Sequence, residues 1–195
     1  MARYGKQHKE ATRQRIIEGA GQRLKRDGID GTGVAALMAD AGLTNGALYA
    51  HFASKEELVA MAVADQLRQQ LERYRAQASD REGVEQLVRE YLSIDHRNDT
   101  QHGCPSAALL DEIGRCGDAT RQAYTDGVLV VIDGLAARMA PEDPPSARVK
   151  ALSLLGLMAG TLQLSRALTD RQLSDDLLEQ GLRNALTLAG AELGP

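Results

Sequence analysis

Residues 32–52, TGVAALMADAGLTNGALYAHF, decide how the chain folds. Val34, Leu37 and Met38 recur at helical spacing and form one apolar stripe. Gly42 follows that stripe and supplies the positive φ that a sharp helix stop requires. Thr44 then stands at an N-cap position, and a second helix of about two turns runs toward Tyr49 and Phe52. Two short helices with a tight break between them make a helix-turn-helix. The second is polar on its outer side and free of acidic residues, a shape and charge that fit the major groove of a duplex.

The flanks agree with a helical protein throughout. No alternating β-branched run appears, and with one phenylalanine (Phe52) and no tryptophan in 195 residues the interior must be aliphatic. Formal net charge is −4, yet residues 1–30 carry +4, which leaves −8 for the rest. A basic head on an acidic body implies that the head meets phosphate; the alternative is that these cations only solvate the first helix. No run of 18 apolar residues and no signal peptide is present, so a cytoplasmic protein without a membrane span is expected. Two cysteines are too few for a disulfide framework, and the four histidines are scattered without metal-ligand spacing. No nucleophile–base–acid set and no phosphate-binding loop is found, so neither catalysis nor a cofactor is expected. Asp95-His96 and Asp111-Glu112 are polar pairs whose partners cannot be named from sequence.

In chain order, residues 1–8 read as a basic arm, with Arg3 and Tyr4 within reach of phosphate, and a first helix is expected from Lys9 to Arg26. Ser54 with Glu57 three residues later is a capping box that opens a long fourth helix, to about Gln77. Ser79-Asp80 caps the next, whose Val84, Leu87, Val88, Tyr91 and Leu92 follow one helical face. His96 to Gly103 reads as a loop, Cys104-Pro105 as a helix start with proline at the first position, and Pro141, Pro144 and Pro145 as punctuation. Two last helices are expected over Ser146–Leu168 and Ser174–Leu193. The first is apolar on two sides and carries Gly156 and Gly160 four residues apart. Such a helix needs two partners; a second copy of the chain is the economical one, a fully internal helix of a monomer the other.

The stretch GTGVAALMADAGLTNGALYAHFASKEEL resembles the DNA-binding signature of the TetR family of bacterial repressors, strongly over residues 9–60 and only in architecture beyond. The resemblance implies an all-α protein of about nine helices: a three-helix DNA-binding head over residues 1–53 and a larger ligand-binding and dimerisation body over 54–195. It further implies a homodimer through the last two helices, a palindromic double-stranded operator, and a small molecule that releases DNA. Candidate DNA contacts are Thr32, Thr44, Asn45, Gly46, Ala47, Tyr49, His51 and Lys55. Asn45 both donates and accepts and is the best base reader, Gly46 and Ala47 allow close approach, and Thr32 and Lys55 are expected on phosphates. Tyr49 and His51 lie where the family touches phosphates; packing under the helix and a structural hydrogen bond are their respective alternatives. Asn45 and Ala47 depart from the commoner residues of the family, so no operator sequence is inherited.

The effector cavity is expected among the fourth to eighth helices. Tyr91, Leu109, Tyr124, Val128, Met158, Thr161 and Gln163 are its candidates, each equally readable as plain core. Cys104 is a further candidate, at a helix N-terminus after a loop holding His96, Arg97 and His102, where cations favour a thiolate. Electrophile or oxidant sensing is one reading of it; a small cap-position residue is the other. Cys116 lies twelve residues on, roughly 18 Å along a straight helix, so a bridge between the two is not expected. A helical protein-interaction module that has lost DNA binding is the competing function.

Overall fold

A computed structural model describes residues 2–77 and 80–190. Among them are ten α-helices and no strand. The expectations placed on Ser79 and Leu193, and on the side chains of Arg3 and Tyr4, lie outside the described residues.

The head is built from α1 (Ala2–Asp27), α2 (Val34–Asp40), a 3-10 turn (Asn45–Ala47) that continues into α3 (Leu48–His51), and the start of α4 (Lys55–Arg75). The separate arm expected over residues 1–8 is corrected: α1 already begins at Ala2. It stops because Gly28 turns to φ +83° while its amide bonds the Leu24 carbonyl. At the end of α2, Gly42 takes φ +70°, with Leu43 N–H on Met38 O and Gly42 N–H on Ala39 O, both at 2.9 Å. This is a Schellman stop, and it throws the chain back so that α3 crosses α2. Ile16, Ala20, Leu24, Leu37, Met38, Leu48 and Phe52 close the space between them and are all buried.

Ser54 caps α4 by accepting the Glu57 amide, and the Glu57 carboxylate returns to the amide of Ala53, one residue before the cap. The long α4 packs on α1 at its start and on α8 (Asp118–Met139) further along. It is the element common to head and body, and buried apolar residues from Ile16 to Leu186 form one cluster around it. Asp80 caps α5 (Arg81–Tyr91) by accepting the Gly83 amide.

Three body expectations are corrected. The segment from His96 is no loop at its start: Ser93 caps a short α6 (Ile94–Asn98), and turns fill only the residues up to α7 (Pro105–Arg115). Helix α9 (Pro144–Ala167) begins two residues earlier than expected, since proline suits the first turn. Helix α10 (Arg171–Ala189) begins three residues earlier, because Asp170 rather than Ser174 is the cap. Ser174 is instead buried and donates to the Ser165 carbonyl. Helix α9 buries Leu154, Met158 and Leu162 but leaves Val149 73% exposed, with Leu152 and Leu164 beside it.

Helices α9 and α10 approach so closely that a Cβ on Gly181 would overlap the Thr161 methyl. Gly181→Ala is expected to cost about 1–3 kcal/mol through overpacking. Thermal unfolding checks this: the midpoint falls by roughly 2–4 °C per kcal/mol. Adding Thr161→Ser, which deletes the methyl, recovers part of the loss.

Candidate DNA-binding face and effector cavity

The turn after Gly42 delivers Thr44 in extended backbone, exposed and with no side-chain cap bond, so its hydroxyl is available to a partner. Asn45 and Gly46 are exposed and Ala47 is half-buried. A Cβ at Gly46 would meet nothing within 4 Å, so no contact inside the chain demands glycine there. Leu48 and Phe52 point inward and anchor the segment, whereas Tyr49 is 73% exposed. The 3-10 start makes the segment tighter than the regular two-turn helix expected.

One expected phosphate contact is corrected. Thr32 is buried, and its hydroxyl donates to Gly28 O at 2.6 Å, closing the turn after α1. Lys55 is half-buried and gives one of its three N–H groups to Ile29 O at 2.9 Å. His51 is half-buried; burial first, then Lys9 and Arg13, depress its pKa. Its Nδ1 has no partner, and its carbonyl accepts from Arg13 Nε at 3.3 Å. Arg13 also lies 4.8 Å over the Phe52 ring and pairs with Glu57 at 3.4 Å. It fixes the end of α3 from α1, a role that no local signal in the sequence reveals. The head's charge is thus partly internal: Arg23 pairs with Asp40 and Asp27, Arg26 with Asp27, while Lys9 and Arg15 remain exposed.

The body holds a cavity of about 660 Å³ between α4, α5, α6 and the start of α7. Gln70, Tyr74, Leu87, Tyr91, His96 and Cys104 line its inner part. Of the candidates named from sequence, Tyr91 and Cys104 are therefore on its wall, and six are not. Leu109, Val128 and Met158 are packed in the core, and Thr161 faces Gly181. Tyr124 shares a 2.8 Å hydrogen bond with Ser106, and Gln163 is exposed. Gln70, Tyr74 and His96 were not among the cavity candidates: Tyr74 reads as core of α4, Gln70 as a polar residue beside it, and His96 as part of a loop.

His96 Nδ1–H donates to Tyr91 O at 2.7 Å, and its Nε2 accepts the Cys104 amide at 3.0 Å. Burial pushes its pKa down to about 4, with Arg166, Arg73 and Lys25 adding to the effect, so the ring is neutral. The cationic surroundings expected for Cys104 from His96, Arg97 and His102 are corrected. Arg97 turns away to Ser174 and Asp175, and His102 pairs with Asp99. Cys104 is buried, with Sγ 3.4 Å from Gln70 Oε1, and both cysteines are free thiols. The Tyr91 hydroxyl is buried with no hydrogen-bond partner.

Head and body meet at the turn after α1. Glu112 of α7 accepts the amides of Ile29 at 2.7 Å and Asp30 at 2.9 Å. Lys25 of α1 is buried and donates to Gly103 O at 2.9 Å, directly before Cys104 on the cavity wall.

Residues 16–62 match the family described as bacterial regulatory proteins, tetR family. That match covers the head. Known structures extend the likeness to the whole chain and show that it shares their fold. The reduced form of E. coli NemR superposes with a TM-score of 0.75 at 20% identity, covering 91% of this chain and 96% of that one. A TetR-family transcriptional regulator from Cytophaga hutchinsonii gives 0.73 at 23% identity, covering 96% and 98%. FadR from Bacillus subtilis, in complex with stearoyl-CoA, gives 0.68 at 15% identity, covering 92% and 99%. No curated protein matches the sequence. No helix among the described residues is long and apolar enough to cross a membrane.

The neutral His96 makes a pH prediction. Its folded pKa near 4 lies below the ordinary 6.5, so on acidification the unfolded chain takes the proton first. The stability it confers is complete above pH 6.5 and is lost as pH falls toward 4, by up to about 3 kcal/mol. Midpoints of thermal unfolding at pH 7, 5.5 and 4 should fall less steeply in His96→Gln than in the wild type.

Proposed function

We propose that the chain is a ligand-responsive DNA-binding repressor. Residues 1–53 form the DNA-binding domain, 54–195 the effector-binding and dimerisation domain, and a small molecule in the 660 Å³ cavity releases a palindromic operator. The observation that carries the reading is the exposed, acid-free segment from Thr44 to His51, seated on buried Leu48 and Phe52. Asn45 reads a base edge, Thr44 and Tyr49 reach phosphates, and Gly46 and Ala47 let the backbone approach. Lys9 and Arg15 supply the positive field beside it. A second copy covers the outer stripe of α9, where Val149, Leu152 and Leu164 are exposed and the outer sides of Gly156 and Gly160 are open. The working compartment is the cytoplasm, where the DNA is.

Anisotropy titrations over a salt series test this, using duplexes selected from a random pool by the wild-type protein. Asn45→Ala is expected to cost about 1–3 kcal/mol per half-site on selected DNA and nothing on random DNA. Equal losses on both would remove Asn45 as a reader, and binding that ignores salt would favour a protein-interaction module. Sedimentation of the same complexes reads the stoichiometry.

A second reading of the effector step is favoured by one observation: the Cys104 thiol is on the cavity wall. There the sulfur adds to the β-carbon of an unsaturated carbonyl compound, forming a C–S bond while the α-carbon takes up a proton. In a Cys116→Ser background, N-ethylmaleimide should add one equivalent at Cys104 by mass spectrometry and weaken operator binding about tenfold or more, equivalent to 1.4 kcal/mol. An adduct that leaves affinity unchanged, or no adduct on the native protein, ends this reading.

A further inference from the structure

Two cations lie behind the buried end of the cavity with only carbonyl partners. Lys25 is buried and its Nζ is bound to Gly103 O. Arg166, half-buried, donates to three carbonyls: His96 O at 2.8 Å, Arg97 O at 3.0 Å and Ala107 O at 3.2 Å. Neither forms an ion pair with a carboxylate among the described residues. Carbonyl dipoles satisfy their N–H groups but supply no counter-charge, and a buried ion without one is costly. Arg73 lines the cavity as well, and is exposed. The cost is visible in Lys25, whose pKa burial lowers to about 8, with Arg73 and Arg166 repelling it further where Cys104 and Asp99 attract it; burial lowers Arg166 as well.

The wall facing these cations holds no acid. Its polar groups are Gln70, Tyr74, Tyr91, Cys104 and the neutral His96. The acids that line the cavity are Glu90, Asp95 and Asp99, all exposed at its outer rim. Glu90 there accepts from Gln77 and Gln86, and Asp99 is paired with His102. Within the acid-free end, the Tyr91 hydroxyl is buried without a partner. An unmade hydrogen bond at such a depth is expensive, and a ligand atom there recovers it.

We propose that this cavity binds a small organic anion, a carboxylate or phenolate, whose charged oxygen accepts a hydrogen bond from the Tyr91 hydroxyl in the field of Lys25 and Arg166 behind the wall. The proposal deepens the effector reading and rests on it for its regulatory meaning. Burial holds the Tyr91 phenol far above its ordinary pKa, so it stays a donor at any physiological pH. Tyr74 accepts from Gln70 Nε2 at 2.6 Å and keeps its own proton as a second donor. The volume suits an anion of drug-like size or smaller. Because Lys25 belongs to α1, charge arriving in the cavity acts on a residue of the head.

Matched pairs of probes test the chemistry with the full chain in low-chloride buffer: benzoate against benzamide, and hexanoate against hexanamide. Calorimetric titration should show each acid binding at least about tenfold more tightly than its neutral amide. Tyr91→Phe removes an unpartnered hydroxyl, so its melting midpoint should hold or rise while acid affinity drops about fivefold or more. Lys25→Met should narrow the acid-over-amide preference. Amides that match the acids, absence of binding by either acid, or a Tyr91→Phe protein with wild-type acid affinity would overturn the proposal. Operator affinity measured with saturating benzoate separates the two claims. An acid that binds but leaves DNA affinity unchanged establishes the anion site and removes the effector reading. Release by the amides alone does the reverse.

Discussion

The arrangement depends on one carboxylate. Once Gly28 adopts its left-handed turn, the amides of Ile29 and Asp30 point away from α1 with no helical partner. Glu112 takes both, at 2.7 and 2.9 Å. A carboxylate accepting two backbone N–H groups is among the stronger polar contacts available to a protein. It also joins α7, which begins on the cavity wall, to the turn that leads into the helix-turn-helix. Lys55 grips the carbonyl of Ile29 from α4, so the turn is held on both its donor and its acceptor sides. At that turn a few hydrogen bonds tie the head to α7 and α4, beside the continuous apolar core that α1 shares with α4.

The same turn explains why Thr32, expected on a phosphate, is found inside the chain: its hydroxyl closes the α1–α2 connection. Lys55 gives one N–H to the same connection and keeps two. The base-reading surface proposed above is the short segment after Gly42, whose Thr44, Asn45, Gly46 and Tyr49 are exposed.

Legibility in the sequence followed the range of the interactions. Local ones were plain: the Gly42 stop, the Ser54 cap, proline opening α7, and the apolar face of α5. Each depends on residues within four or five positions of one another. What failed depended on distance. Arg13 reaching Phe52 and Glu57, Lys25 reaching Gly103, and Glu112 reaching the turn at residues 29–30 span tens of residues, and nothing beside Glu112 in sequence distinguishes it from a solvated acid. The cavity was half legible for the same reason. Tyr91 and Cys104 stood out by residue type and position, but Tyr74 reads as plain core of the long α4, and nothing local sets Gln70 apart from a solvated glutamine. His96 was read as a cation because its burial, which neutralises it, is a tertiary property.

If the cavity acts on the head as proposed, the polar links between them set the energy scale. A typical intramolecular hydrogen bond contributes about 0.5–1.5 kcal/mol net, somewhat more where one partner is charged. Besides the apolar packing of α1 on α4, polar links from body to head include the Glu112 pair, Lys25 on Gly103 and Lys55 on Ile29. Exchanging any one of them is of the order of the 1–3 kcal/mol that couples two sites in an allosteric protein. Lys25 belongs to the head yet donates to Gly103 on the cavity wall, so in the proposed mechanism an occupant of the cavity reaches the head through that contact as well as through the apolar core that α1 and α4 share.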